Sequence, residues 1–272
     1  MELFDTHCHI QSAGLGKGER TTRELWAKDD HVTINDLVER AHEAGVTRMM
    51  CVGCDIADSE LAIDCANGRD GLFASIGIHP HEAQHVAGKP EQKLAFAALA
   101  NAPKVVAVGE CGLDYYYTHS PRAAQLEILK FQLDLALEHG LPLIFHVREA
   151  FDDFWQLFDN YPSGSIRGVL HSFTDSLENM QRAVASGLYI GVNGIATFVK
   201  EEEKRVMYRT IPLNSLLLET DAPFLTPTPY RGNINEPKHI RTIAEFLESI
   251  RSESQNDIAE ATTRNARALF SV

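Results

Sequence analysis

Residues 3–10 read LFDTHCHI, an apolar start followed by an aspartate and two histidines at alternate positions. An apolar opening of this length predicts a strand, and in a strand alternate side chains share a face. Asp5, His7 and His9 would then point one way. Two imidazoles about 7 Å apart along a strand can lean onto one cation. A buried polar strand end, with histidines bonded to their neighbours, explains the same letters equally well. The motif alone does not choose between them.

The same grammar recurs along the chain. RMMCVG (48–53), LFASIGIHP (72–80), VVAVGE (105–110), PLIFHV (142–147), GVLHSF (168–173), LYIGVN (188–193) and SLLLETD (215–221) are short apolar runs separated by amphipathic stretches. TINDLVERAHEAG opens with a Thr33 cap and closes at Gly45. SPRAAQLEILKFQLDLALEHG predicts a helix with Ser120 as cap, Pro121 in the first turn and Gly140 as stop. Near-continuous apolar strands divided by helices signal a parallel sheet covered by helices. Eight such units closing on themselves predict an α/β fold, a (β/α)8 TIM barrel, as a single domain over residues 1–272. IAEATTRNARALF, at 258–270, predicts an additional C-terminal helix. An open doubly wound sheet is the alternative, but no GxGxxG follows any strand. Residues 11–32, QSAGLGKGERTTRELWAKDDHV, form a long polar insertion after the first strand: an active-site loop or lid, or a variable surface loop.

Hydrophobic residues make up 44% and charged residues 23%, an ordinary globular composition. The net charge of −13 argues against a dedicated nucleic-acid binder with a basic face, and suits a protein that collects cations. Contact with phosphate would have to be local. No apolar run reaches the length of a membrane span, and MELFDTHCHI has neither a basic nor an apolar leader region. A cytoplasmic location is therefore expected, with the five scattered cysteines as reduced thiols. Cys51 and Cys54 form a CVGC pair, but positions three apart on a strand face opposite ways, so core packing is expected rather than chelation.

The chemical residues fall at strand ends: His7 and His9, His79, Glu110, His146, His171 and Asp221. In a (β/α)8 barrel all C-terminal strand ends converge on one mouth. A lone histidine there is usually a satisfied structural group. Six or seven residues of metal-binding type at one rim are hard to explain as packing, because uncompensated polar groups in a barrel core are costly. Four histidines with Glu110 and Asp221 suffice for two cations sharing a carboxylate, a pair that activates water and neutralises charge on attacking and leaving oxygens. Arg148 and Arg231 are the best phosphate or carboxylate anchors, since an Arg fork matches phosphate oxygens. His79 can bond a substrate phosphate, Asp114 and Tyr116 can line or brace the pocket, and Asp5 can orient a neighbouring ligand. His81, His85 and His119 read as exposed loop residues without a role.

The same stretches resemble the TatD family of metal-dependent hydrolases, within the amidohydrolase-like barrels. The match is a series in order: DTHCH, AGV (44–46), GIHPH (77–81), VGECGLDYY (108–116), PLIFHVREA, VLHSFTDS, GVNGIATF, LLLETDAPFLTP, RGNINEP and RNARALF. It spans nearly the whole chain. The resemblance implies that His7 and His9 bind one metal, Glu110 bridges, and His146 and His171 bind the second. Asp221 would bind metal and handle the water proton, with Glu219 assisting from outside. It implies two divalent ions, Zn²⁺, Mn²⁺, Mg²⁺ or Co²⁺, and a hydrolase using metal-activated water. The activity implied is that of a deoxyribonuclease of the 3′–5′ exonuclease type, with Asp221 and Glu110 as catalytic residues. A hydrolase of a small ester or amide, or of aminoacyl-tRNA esters, is the rival, and an idle metal-binding scaffold a third reading. DNA or another phosphodiester is the expected partner, bound locally, with a monomer as the default. The loop after His9 is longer than in typical members. Tyr230 and Asn233 stand where a histidine and a basic residue are common, which bears on substrate preference.

Overall fold

Eight strands form where the apolar runs predict them: β1 (Leu3–Cys8), β2 (Val46–Val52), β3 (Leu72–Ile76), β4 (Val105–Asp114), β5 (Leu143–Arg148), β6 (Gly168–Leu170), β7 (Tyr189–Val192) and β8 (Leu216–Leu218). They are seen in a computed structural model that describes residues 1–29 and 31–272, so Asp30 of the 11–32 insertion lies outside the described residues. Each strand pairs in parallel with the next in chain order. The ends of β1 and β8 then meet. Asp221 N donates to His7 O at 2.8 Å, His9 N to Ala222 O at 2.7 Å, and Thr6 Oγ1 to Leu218 O at 2.9 Å. The sheet is a (β/α)8 barrel.

The helices are α1 (Arg20–Trp26), α2 (Ile34–Glu43), α3 (Ile56–Ala66), α4 (Pro90–Ala98), α5 (Arg122–His139), α6 (Phe151–Phe158), α7 (Leu177–Ala185), α8 (Glu202–Thr210), α9 (Ile240–Ile250) and α10 (Gln255–Phe270). Thr33 caps α2 in a reciprocal box with Asp36, and Gly140 ends α5 in the left-handed region at φ 64°. Ser120 does not cap α5. Pro121, extended at ψ 141°, takes that position. The Ser120 hydroxyl instead donates to His81 O at 2.7 Å and accepts from Gln84 N at 3.1 Å, tying the helix start to the segment after β3. No helix among the described residues is long and apolar enough to cross a membrane.

Strict alternation fails in β1, because its register against β2 slips between Asp5 and Cys8. Asp5 consequently turns to the β1–β8 seam, where its carboxylate accepts from Thr220 N at 2.9 Å and Thr220 Oγ1 at 2.5 Å. The insertion after β1 is also more than a polar loop. Gln11 and Trp26 are buried; Gln11 Nε2 donates to Val52 O at 2.8 Å, and Trp26 Nε1 to His9 O at 2.9 Å. The five cysteines are buried free thiols. Cys51 packs on Cys65 with 3.6 Å between sulfurs, as core packing predicts, while Cys54 Sγ lies 3.9 Å from His9 Nδ1.

Phe4, Met50, Ala107, Ile144, Val169 and Leu217 come from six different strands yet form one cluster, which places them inside the barrel. Leu269 and Phe270 of α10 join them, and the Phe4 and Phe270 rings lie 6.1 Å apart. The terminal helix thus plugs the barrel with its last turn. Phe270→Ala is expected to cost about 3–5 kcal/mol, the range for a buried phenylalanine, read from the denaturant midpoint. A loss below about 1 kcal/mol would show that the ring does not seal the barrel.

Candidate metal centre

His7 Nε2 and His9 Nε2 face each other at 3.1 Å. His7 Nε2 lies 3.4 Å from Glu110 Oε2 and 3.6 Å from Asp221 Oδ1, and His9 Nε2 lies 3.4 Å from Asp221 Oδ1. Donors placed tetrahedrally at about 2.0–2.1 Å from one cation sit about 3.4 Å from one another, so this spacing fits a single ion. The donor chemistry fits as well. His9 Nδ1 meets Val52 O at 2.9 Å, which places its proton there and leaves the Nε2 lone pair facing the other donors.

The other Glu110 oxygen has a different set of neighbours. Oε1 lies 2.8 Å from His146 Nδ1, 3.6 Å from His79 Nε2 and 3.7 Å from His171 Nε2. Two glycines make room for the Glu110 backbone and for the carboxylate of Glu219. A Cβ on Gly77 would fall 2.3 Å from Glu110 N, and one on Gly191 would fall 2.4 Å from Glu219 Oε2. Glu219 Oε1 accepts from Ser172 N at 2.6 Å and lies 2.9 Å from His171 Nδ1, off the line of a good hydrogen bond. The Glu219 charge thus sits on the Nδ1 side of the His171 ring, while Nε2 faces Glu110.

Charge in the site is balanced internally. Burial opposes protonation of His9, His146 and His171, but the carboxylates beside them outweigh it and hold each up to about 9. Burial acts on Glu110 and Asp221 in the opposite sense and is likewise outweighed, so both stay below the usual carboxylate range. His7 and His79 are held below the ordinary imidazole value, mainly by burial. A bound cation takes the place of such protons.

His7, His9, His79, Glu110, His146, His171 and Asp221 thus meet at one mouth, on a cavity of about 740 Å³ walled in part by His9, His79, Glu110, His146, His171 and Asp221. Arg148 stands in its wall. Arg231 does not: its guanidinium lies 4.0 Å over the Phe198 ring and donates to Thr226 O at 3.0 Å. His81 is not a bystander, since its Nε2 lies 3.0 Å from Asp114 Oδ2, which also meets His146 Nε2 at 3.1 Å. The H-x-H spacing of His79 and His81, the same as that of His7 and His9, was the signal for it. Glu19, Glu82 and His119 also reach the wall. His9, Cys54 and Asp58 form a further cluster. There Asp58 is taken up by Gln11 Nε2, Cys54 N and Glu19 N, so it braces the wall.

A family model described as TatD-related DNase matches residues 4–271. The chain belongs to this family. It is 33% identical to a protein of Bacillus subtilis named as an uncharacterised metal-dependent hydrolase, YabD, over 99% of both chains. A protein of Salmonella typhimurium named 3′-5′ ssDNA/RNA exonuclease TatD is 36% identical, over 94% of this chain and 98% of its own. The crystal structure of the TatD homologue YJJV from Escherichia coli superposes with a TM-score of 0.83 at 28% identity, covering 99% of this chain and 98% of that one. The protein is a metal-dependent hydrolase with a candidate metal-binding cluster at its barrel mouth.

Glu219→Gln keeps the size of the side chain but removes the charge beside His171. Metal affinity is expected to fall about 10–100-fold, the usual effect of losing a ligand's supporting carboxylate, with the fold intact. Titration calorimetry reads this directly, and unchanged affinity would show that His171 needs no such support.

Proposed function

We propose that residues 1–272 act as one hydrolase domain that removes nucleotides from the 3′ end of single-stranded nucleic acid, with DNA as the main substrate. The observation that carries this is Glu110, whose two oxygens face two separate donor sets. One divalent cation would be held by His7, His9, Asp221 and Glu110 Oε2, and a second by Glu110 Oε1 with His146 and His171. The mixed nitrogen and oxygen donors suit Zn²⁺, Mn²⁺, Co²⁺ or Mg²⁺. Bound there, such ions activate water and neutralise phosphate charge.

The chain's own residues do the rest. Asp221 turns out of β8 in the left-handed region at φ 60°, which aims its carboxylate at His7 and His9. It is held ionised and can take the proton of an attacking water. His79, held uncharged, can donate to a phosphate oxygen. Arg148 supplies a cation at the rim, where a chain of net charge −13 offers no general basic field. Glu19 and Glu82 in the wall favour the rival substrate, a small ester without negative charge. Metal-supplemented assays against 3′-labelled single-stranded DNA, a generic phosphodiester and a carboxyl ester separate the two.

Asp221→Asn is the sharper test. Asparagine tolerates the left-handed backbone and keeps one oxygen, but it cannot accept the proton. Turnover is expected to fall about 10²-fold or more, with a near-normal melting temperature. Near-normal turnover would remove Asp221 as the base.

A further inference from the structure

Tyr116 and Tyr117 follow the strand that carries Glu110, and both stand open to solvent, at 52% and 50% exposure. Their rings meet edge to face at 4.8 Å. The Arg148 guanidinium lies over both, 4.0 and 4.8 Å from the ring centroids, and His119 lies parallel to Tyr117 at 5.7 Å. Tyr117, His119 and Arg148 stand in the wall of the cavity that contains Glu110 and Asp221.

This group is held in place. Asp114 Oδ1 accepts from Tyr116 N at 3.0 Å and Tyr117 N at 2.9 Å, while its Oδ2 meets His146 and His81. One buried carboxylate therefore fixes the turn that carries the rings and orients a metal-type histidine. Packing alone explains a guanidinium over two rings. It does not explain two large rings left half open, Tyr117 in the cavity wall and Tyr116 against it, where burial would be favourable. Stacking also suits this acidic chain, because a base offers its face without needing a positive field.

We propose that Tyr116 and Tyr117, with Arg148 lying over them, form a stacking platform for a base of single-stranded nucleic acid next to the reacting phosphate. This rests on the nuclease reading above. Arg148 contributes one local phosphate contact, and the rings hold the neighbouring base. Bases paired in a duplex keep their faces covered, so the platform selects single strands and frayed ends.

The test uses the metal-loaded full chain with oligonucleotides whose 3′-terminal linkage is a hydrolysis-resistant phosphorothioate, so that binding is read without cleavage. One oligonucleotide carries 2-aminopurine at its 3′ end, and a second of equal length carries an abasic residue there. The wild type is expected to quench the 2-aminopurine and to bind the base-containing strand about tenfold more tightly, the size of one stacked base. Tyr116→Ala with Tyr117→Ala should abolish quenching and bring that ratio near one, and the paired phenylalanine variant should restore both. Absence of quenching in the wild type, or a ratio unmoved by the alanine pair, overturns the platform. Hydrolysis of single-stranded DNA by the metal-loaded wild type is scored separately. Hydrolysis without quenching sinks the platform and spares the nuclease reading. Quenching that depends on the tyrosines, without hydrolysis under any metal, does the reverse.

Discussion

The seam between β1 and the end of β8 is the constraint on which the rest of the structure depends. Asp5, fully buried, accepts two bonds from Thr220, and the backbones of His7 and Asp221 and of His9 and Ala222 are hydrogen-bonded beside it. The seam joins residues separated by 215 positions, so it closes nearly the whole chain into one ring. It also sets His7 and His9 directly against Asp221. Closing the barrel and assembling the first donor set are therefore the same event. Burial pushes the Asp5 carboxyl up to about 7 even though Thr220 and the His7 N–H favour its charge.

The cluster of imidazoles and carboxylates at the mouth is a poor source of stability. Charges buried together recover little more than the cost of leaving water. Stability comes instead from the apolar interior and the outer helices, with α10 plugging the barrel behind the site. That division matches the general arrangement of this fold, where the strand C-termini carry function. It also explains how a chain of net charge −13 can accommodate a dense group of acids at its centre. The acids there face histidines, whose positive charge a cation can replace.

All eight strands, and the convergence of the histidines and carboxylates at their ends, were legible in the sequence, because apolar runs and metal-type residues carry their signal locally. His7, His9, Glu110, His146, His171 and Asp221 could be placed at one mouth by counting strand ends alone. Features that depend on register were not legible. Nothing local in LFDTHCHI announces the slip that turns Asp5 to Thr220. Ser120 has the right type for a cap, yet the segment after β3 holds its hydroxyl and Pro121 takes the position. His81 looked idle because Asp114, its partner, lies 33 residues away. Arg231 has suitable chemistry, but Phe198 and Thr226 O hold it off the cavity wall.

The insertion after β1 shows how substrate preference and metal binding can be coupled. Val52 O receives His9 Nδ1 and Gln11 Nε2, so one carbonyl fixes both the imidazole and the first residues of the insertion. Trp26 Nε1 then clamps His9 O from the far end of the same segment. Between these two anchors, Glu19 caps α1 through Thr21 and Thr22, and all three residues face the cavity. The segment that forms this part of the wall is thus anchored to the backbone and imidazole of His9. The segment is tied at its two ends to His9 and in its middle by Glu19, whose backbone holds Asp58 and whose carboxylate caps α1 beside the cavity.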